Sequence, residues 1–270
     1  MSLRTDTMKR NTVGLAVGLA ILLLFAQCKK TSPTLTPEQS ASDETLFKLG
    51  EQTLKRDPEK ARLYLRQVID SFPKSFYAQR AKLAIANSYF EKGDESSMIL
   101  ATAEYREFIN LYPYSPSSSF AQYRIGLAFF KQSLKPGRDQ TKTQQALVEF
   151  KKVVSQYPLS EETKQAQLQI KDCEQKLAEH TFIIATFYYR VMAYKASISR
   201  LTDILTNYPD YSKLDQVYFY LADSYFKWGK LQESVPFFTK LVSDYPRSSW
   251  AKKALERLKD INAQNTKAQK

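Results

Sequence analysis

The sequence predicts an all-α protein built as a solenoid of paired helices. Three observations carry this. Five segments share one ending: IDSFPKS, INLYPYS, VSQYPLS, LTNYPDYS and VSDYPRS. Residue types recur at fixed offsets before the prolines of those endings. Glycine is scarce, 7 residues against 33 Tyr plus Phe in a chain of 270, which disfavours glycine-rich nucleotide loops and fits helices locked by ring packing.

The prolines are Pro73, Pro113, Pro158, Pro209 and Pro246, each preceded by an aromatic residue. Twelve residues earlier stand Ala61, Ala101, Ala146, Ser197 and Ser234, all small. Eight earlier stand Leu65, Tyr105, Phe150, Leu201 and Phe238, and five earlier Val68, Phe108, Val153, Ile204 and Leu241. Steps of four and three put these positions on one helix face. The small residue admits a neighbouring helix. Proline ends the helix, because it cannot continue it and forces its predecessor out of the α region. The serine after each proline suits the N-cap of the next helix.

A second helix precedes each of these. The clearest case is Leu221-Ala222, Tyr225 and Gly229, then Ser234, Phe238, Leu241 and Pro246. This is the 34-residue tetratricopeptide pattern. The fourth repeat has standard length, with Ile184-Ala185 and Tyr188. The second has three extra residues before Ala101, and the third eight around Lys135-Pro136-Gly137. The first is degenerate, with Thr53 at its aromatic position. The expected fold is therefore a tetratricopeptide-repeat helical solenoid of about five repeats, closed by a C-terminal capping helix, WAKKALERLKDI. Segment 164–190 has almost no breakers and reads as one long helix or two nearly continuous ones.

The N-terminus is different. Lys9 and Arg10 precede an apolar run from Val13 to Ala26, 14 residues long. A membrane span needs roughly 20, whereas this length suits a secretory signal. The run ends at Cys28. A lipobox wants an aliphatic residue at −3 and a small one at −1; here they are Phe25 and Gln27, with Ala26 between. Local residues leave lipidation of Cys28 open against a conventional cut or an uncut anchor. Residues 29–42, rich in Ser, Thr and Pro, read as a linker. The expected organisation is a signal peptide over 1–27 and a flexible linker over 28–42. N-terminal repeats one to three follow over 43–163, C-terminal repeats four and five with the cap over 164–262, and a frayed tail over 263–270.

Net charge is +12 and mean hydropathy is −0.45, which argues against several membrane spans. A basic chain can meet nucleic acid, anionic lipid or an acidic partner, or simply carry a solvated basic surface. Basic residues spread over many helices, without a nucleic-acid motif. With Cys28 lipidated or removed, Cys173 is alone and fits a packed helix position. The single histidine, His180, lacks a marked nucleophile or carboxylate partner. Carboxylates are scattered without an acid/base motif, and neither a phosphate loop nor metal-ligand spacing appears. The expectation is a binding protein, with neither catalytic residues, metal nor cofactor.

The stretch IKDCEQKLAEHTFIIATFYYRVMAYKASISRLTDILTNYPD and the opening TLFKLGEQTLKRDPEKARLYLRQVIDSFPKS resemble the BamD family, outer-membrane assembly lipoproteins of the β-barrel assembly machinery. The resemblance covers about residues 43–260. Its matched features are Leu177-Ala178, Tyr188-Tyr189, Arg190, Ala193-Tyr194 and Arg200. Where the family usually carries Arg/Lys-Gly before Ala-aromatic, this chain has Val191-Met192, and Arg190 stands one position displaced as a substitute. The resemblance implies a periplasmic adaptor at the outer membrane, tethered by lipid on Cys28. Its C-terminal half would dock through Tyr188, Tyr189, Arg190, Tyr194 and Arg200 on periplasmic domains of the barrel-assembling outer-membrane protein, beside other lipoproteins of that machinery. Its N-terminal half would receive unfolded outer-membrane proteins through their C-terminal signal. In tetratricopeptide arrays the first helix of each pair lines the concave face. That places Phe47, Arg80, Asn87, Phe90, Tyr123, Arg124, Phe130 and Lys131 there, a set suited to a chain ending in an aromatic and a carboxylate. The bland reading is that several of these rings pack between helices. A competing function is another periplasmic repeat scaffold, similar to Tol-Pal-associated YbgF, although the N-terminal heptad run typical of those proteins is missing before Leu46.

Overall fold

A computed structural model describes residues 42–268; the expected signal peptide, Cys28 and nearly all of the expected linker lie outside them. Among the described residues there are eleven helices and no strand. They run α1 (Asp43–Thr53), α2 (Pro58–Ser71), α3 (Phe76–Lys92), α4 (Glu95–Leu111), α5 (Ser118–Lys131), α6 (Thr141–Gln156), α7 (Glu161–Arg190), α8 (Tyr194–Asn207), α9 (Leu214–Lys227), α10 (Leu231–Asp244) and α11 (Ser249–Ala268). Odd-numbered helices up to α9 are the first members of five pairs, and α11 closes the stack against α9 and α10.

The repeat offsets become the core. All fifteen residues twelve, eight and five positions before the prolines have zero exposure. The aromatic residue before each proline caps its helix: Phe72, Tyr112, Tyr157, Tyr208 and Tyr245 leave the α region and donate N–H to the carbonyl four residues back. The serines follow expectation only in part. Ser75 Oγ accepts from Tyr77 N at 2.9 Å and Ser248 Oγ from Trp250 N at 3.1 Å. Ser160 sits at the N-cap of α7 without a capping bond to the backbone. Ser115 stands too early, since Pro116 follows and α5 begins at Ser118. Ser212 does not cap α9 either, whose N-cap is Lys213. The fourth ending is one residue longer, and its extra Tyr211 turns into the core, where its hydroxyl donates to Glu179 at 2.6 Å.

Repeat-to-repeat clamps stiffen the N-terminal half. Arg66 of α2 pairs with Glu104 of α4 at 2.9 Å, and Arg106 of α4 with Glu149 of α6 at 3.0 Å. Both arginines stand seven residues before their proline and both glutamates nine before theirs. The next residue in the series, Lys151, reaches Glu174 on α7 instead, at 3.0 Å. The series stops there because α7 intervenes.

Segment 164–190 is part of one helix. α7 has 30 residues, about 45 Å at 1.5 Å per residue. Its first half, with Ala166 and Cys173, packs on Phe150 and Val153; its second half, with Ala178, Phe182 and Ala185, packs on Ile198 and Leu201. α7 therefore closes the third repeat and opens the fourth. The loop around Pro136 braces its middle: the Pro136 carbonyl meets His180 Nδ1 at 2.6 Å, and Ser133 Oγ accepts from Lys176 Nζ at 2.7 Å. Burial pushes the Cys173 thiol up to about 12, so it stays protonated and inert. α11 runs to Ala268 where a tail frayed from 263 was expected, since NAQNTKA contains neither Gly nor Pro to stop it.

Candidate functional site

The N-terminal candidate lies on the first helices of repeats one and two. A cleft of about 470 Å³ is lined by Phe47, Glu51, Phe76, Arg80 and Asn87 and by the turn Ser115–Ser117. A second, of about 670 Å³, is lined by Leu54, Pro58, Arg62, Asn87 and Glu91. Glu51, Ala84 and Asn87 border both, so the two form one depression. The Arg80 guanidinium lies 4.6 Å from the Phe47 ring and within 5.9 Å of Phe76 and Tyr77. Its ion pair with Glu51 is long, 3.6 Å, with both side chains 46% exposed. Such a pair contributes little, so Arg80 is held in place by rings and remains free to pair with an incoming carboxylate.

The other predicted groove residues divide. Asn87 Oδ1 accepts from the Tyr105 hydroxyl at 2.5 Å, and burial pushes that hydroxyl up to about 12. Arg124 is committed elsewhere: Nε donates to the Tyr105 oxygen at 3.2 Å, Nη2 pairs with Glu91 at 2.6 Å, and the guanidinium covers the Phe90 ring at 3.8 Å. Lys131 Nζ lies 4.4 Å from the same ring. Phe90 itself is 1% exposed and Phe47 2%, so neither ring offers an open face; apolar burial between first and second helices claims them. Tyr123 and Phe130 pack on Phe150 at 5.6 and 6.4 Å, in the core of the third repeat. The structure thus joins Phe47, Arg80 and Asn87 in one cleft, and stacks Phe90, Arg124 and Lys131 beside it. Sequence reasoning missed Phe76, which is 68% exposed at the cleft rim; its place as the first residue after the Ser75 cap was the available signal.

The C-terminal candidate is the end of α7 and the start of α8. Tyr189 is fixed there. Its hydroxyl donates to Asp223, and its ring meets Tyr194 at 6.1 Å and Tyr220 at 5.0 Å. Burial first, then the Asp223 carboxylate, pushes the Tyr189 hydroxyl well above the ordinary phenol range. Asp223 is 1% exposed and also binds Arg257 Nε of α11 at 2.8 Å and Lys227 at 3.6 Å. Tyr188 is half-buried beside Phe187, at 5.7 Å. Arg190 is exposed, and Arg200 is half exposed, 3.7 Å from Asp203. Both can reach a partner.

The Val191-Met192 departure has a backbone consequence. α7 ends in a Schellman turn, with Met192 N–H on the Tyr189 carbonyl and Ala193 N–H on that of Tyr188. Met192 stands at its left-handed position with φ 60°. The corresponding turn after α9 uses Gly229 at φ 81°. Met192 is 73% exposed, Val191 52% and Phe187 50%. Together with Ile183 they form an apolar stripe that sequence reasoning missed; the i, i+4, i+8 spacing of 183, 187 and 191 was its signal.

Among the described residues no group of three or more His, Cys, Asp or Glu could hold a metal, and no helix is long and apolar enough to cross a membrane. Clefts on first helices and an exposed apolar and basic turn are the equipment of a protein-binding repeat scaffold, and that is the class the fold and sites define. The chain belongs to the YfiO family of outer membrane lipoproteins, whose model matches residues 39–235. It is similar to the outer membrane protein assembly factor BamD of Caulobacter vibrioides, 28% identical over 251 residues that cover 91% of this chain and 81% of the relative. BamD of Vibrio cholerae is 28% identical over 71% of this chain and 81% of its own. BamD of Rickettsia prowazekii is 24% identical over 90% of this chain and 95% of its own.

Proposed function

We propose that this protein is a non-enzymatic adaptor of the outer-membrane β-barrel assembly machinery, held at the periplasmic face of the outer membrane by lipid on Cys28. The observation that carries the reading is the family match over residues 39–235, which takes in both candidate sites. The α7–α8 turn, with Arg190, Arg200 and the Phe187–Met192 stripe, docks on periplasmic domains of the barrel-assembling protein. The cleft around Arg80 receives the C-terminal segment of an unfolded barrel protein. Arg80 pairs with the terminal carboxylate and the Phe76 rim covers the aromatic side chain.

The two sites are separable by experiment. Calorimetry of Arg190→Glu and Arg200→Glu against the isolated periplasmic domains is expected to show at least tenfold weaker binding. Arg80→Glu is expected to leave that binding intact and to lose binding of a peptide ending in Phe with a free carboxylate. Unchanged docking in both charge reversals removes the turn as the anchor. Unchanged peptide binding in Arg80→Glu removes the cleft. Mass spectrometry of the mature N-terminus is expected to find a diacylglyceryl group on Cys28; an unmodified N-terminus elsewhere removes the tether.

A further inference from the structure

The edge of the solenoid on which the described chain begins exposes isolated apolar residues at its turns, in addition to those on the second helices such as Leu63, Ile99, Leu100 and Val148. The first turns of α1, α3, α5 and α7 lie side by side there. The Ser75 hydroxyl of the α3 cap donates to Asp43 of α1. Phe76 and the Ser115–Ser117 turn line one cleft. The Ser119 hydroxyl of α5 donates to Glu162 of α7 at 2.8 Å. From this edge project Tyr114 and Leu159, each 99% exposed, and Phe76, 68% exposed. Tyr114 and Leu159 each follow the proline of an inter-repeat turn. The corresponding residues of the other turns are Lys74, Asp210 and Arg247, so apolar tips are confined to the repeats before α7. The opposite edge of those repeats is charged, with Lys55-Arg56-Asp57, Lys92 to Glu95 and Arg138-Asp139, Leu134 apart.

Fourteen positions separate Cys28 from Ser42, at most about 50 Å of extended chain. A lipid on Cys28 would keep this edge, where α1 starts, within reach of the bilayer. We propose that this edge rests on the membrane surface, with Tyr114 and Leu159 in the interfacial layer and Phe76 left to the cleft. The proposal rests on the lipid-anchor reading above. Separate projections suit a deformable lipid layer, in which aromatic and aliphatic side chains are favoured at the headgroup boundary. Of the neighbouring carboxylates, Glu44 pairs with Lys48 at 2.7 Å and Glu162 accepts from Ser119, while Asp70 and Glu161 are exposed to the headgroup layer. The nearby exposed cations, Lys74 and Lys164, lie on separate repeats, so the edge carries no basic cluster and contact needs no anionic lipid.

The test uses the full lipidated chain in zwitterionic phosphatidylcholine and phosphatidylethanolamine vesicles. An environment-sensitive fluorophore is attached at Leu159→Cys or, on the opposite edge, at the exposed loop position Gly137→Cys. Cys173 is fully buried and Cys28 is occupied by lipid, so the introduced thiol takes the label. Expected are blue-shifted emission and quenching by brominated acyl chains at 159, with neither at 137. Equal, solvent-like emission at both positions while the protein still floats with the vesicles overturns the proposal and leaves the anchor standing. Shielding of 159 in native membrane extract but not in vesicles also overturns it, in favour of a protein partner. Labelling of Cys28 together with loss of flotation shows instead that the anchor reading has failed, and the proposal falls with it.

Discussion

Replacing Asp223 by alanine removes the junction that holds three C-terminal elements together. The carboxylate is 1% exposed and binds Tyr189 of α7, Arg257 of α11 and Lys227 of its own helix. Breaking a fully buried ion pair costs ~3–5 kcal/mol. Here the cations keep 35% and 37% of their side chains exposed, so water re-solvates them once Asp223 is gone. What remains is the loss of one charged hydrogen bond and an unpaired Tyr189 hydroxyl, and the expected cost falls to ~2–3 kcal/mol. For a domain of this size that lowers the melting temperature by about 4–12 °C. Repeat arrays open locally, so hydrogen exchange of the full chain is the better assay: protection should fall in α9, α11 and the end of α7 and hold in α3–α5. A double-mutant cycle with Arg257→Ala should give a coupling above ~1 kcal/mol. A cost below ~0.5 kcal/mol, or additive single effects, refutes the reasoning that Asp223 ties the cap to the end of α7.

Other outcomes follow from the same structure. Met192→Gly relieves a left-handed strain of ~1–2 kcal/mol, offset by ~0.5–1 kcal/mol of glycine chain entropy; urea unfolding should show a gain of up to ~1.5 kcal/mol, whereas Gly229→Ala should lose ~1–2 kcal/mol, its φ being 81°. If Met192 serves docking, the stabilised variant should bind the periplasmic domains more weakly. Glu149 is pushed up by burial, but hydrogen bonds from Gln122, Lys152 and Arg106 outweigh this and hold it below its ordinary 4.5. Its stabilising contribution is therefore present above about 4.5 and is lost as pH falls through the lower folded value. Glu149→Gln should be less stable near neutrality, and denaturant melts should converge on the native chain as pH drops below 4; a gap that widens in acid contradicts the assignment.

The repeats were legible because every signal in them is local. Proline, its aromatic predecessor and the −5, −8 and −12 positions act within one helix, and all fifteen offset residues are buried. The continuity of α7 could be read from its lack of breakers, but its double role could not, since that depends on which neighbours each half meets. The groove was half legible. Arg80 and Asn87 line a cleft, while Phe90, on the same helix and face by spacing, is claimed by the core. Helical period places a side chain on a face without saying how deeply the next helix covers it. The Met192 strain needed backbone angles, and the Asp223 junction joins residues 34 positions apart in each direction, beyond any local pattern.

The most direct test of the account is affinity purification of the full-length chain from detergent-solubilised outer membrane, with the eluate identified by mass spectrometry. Stoichiometric recovery of the barrel-assembling outer-membrane protein is expected from the native chain, and its loss from Arg190→Glu with Arg200→Glu. An eluate of the native chain that lacks that protein would contradict the proposed docking.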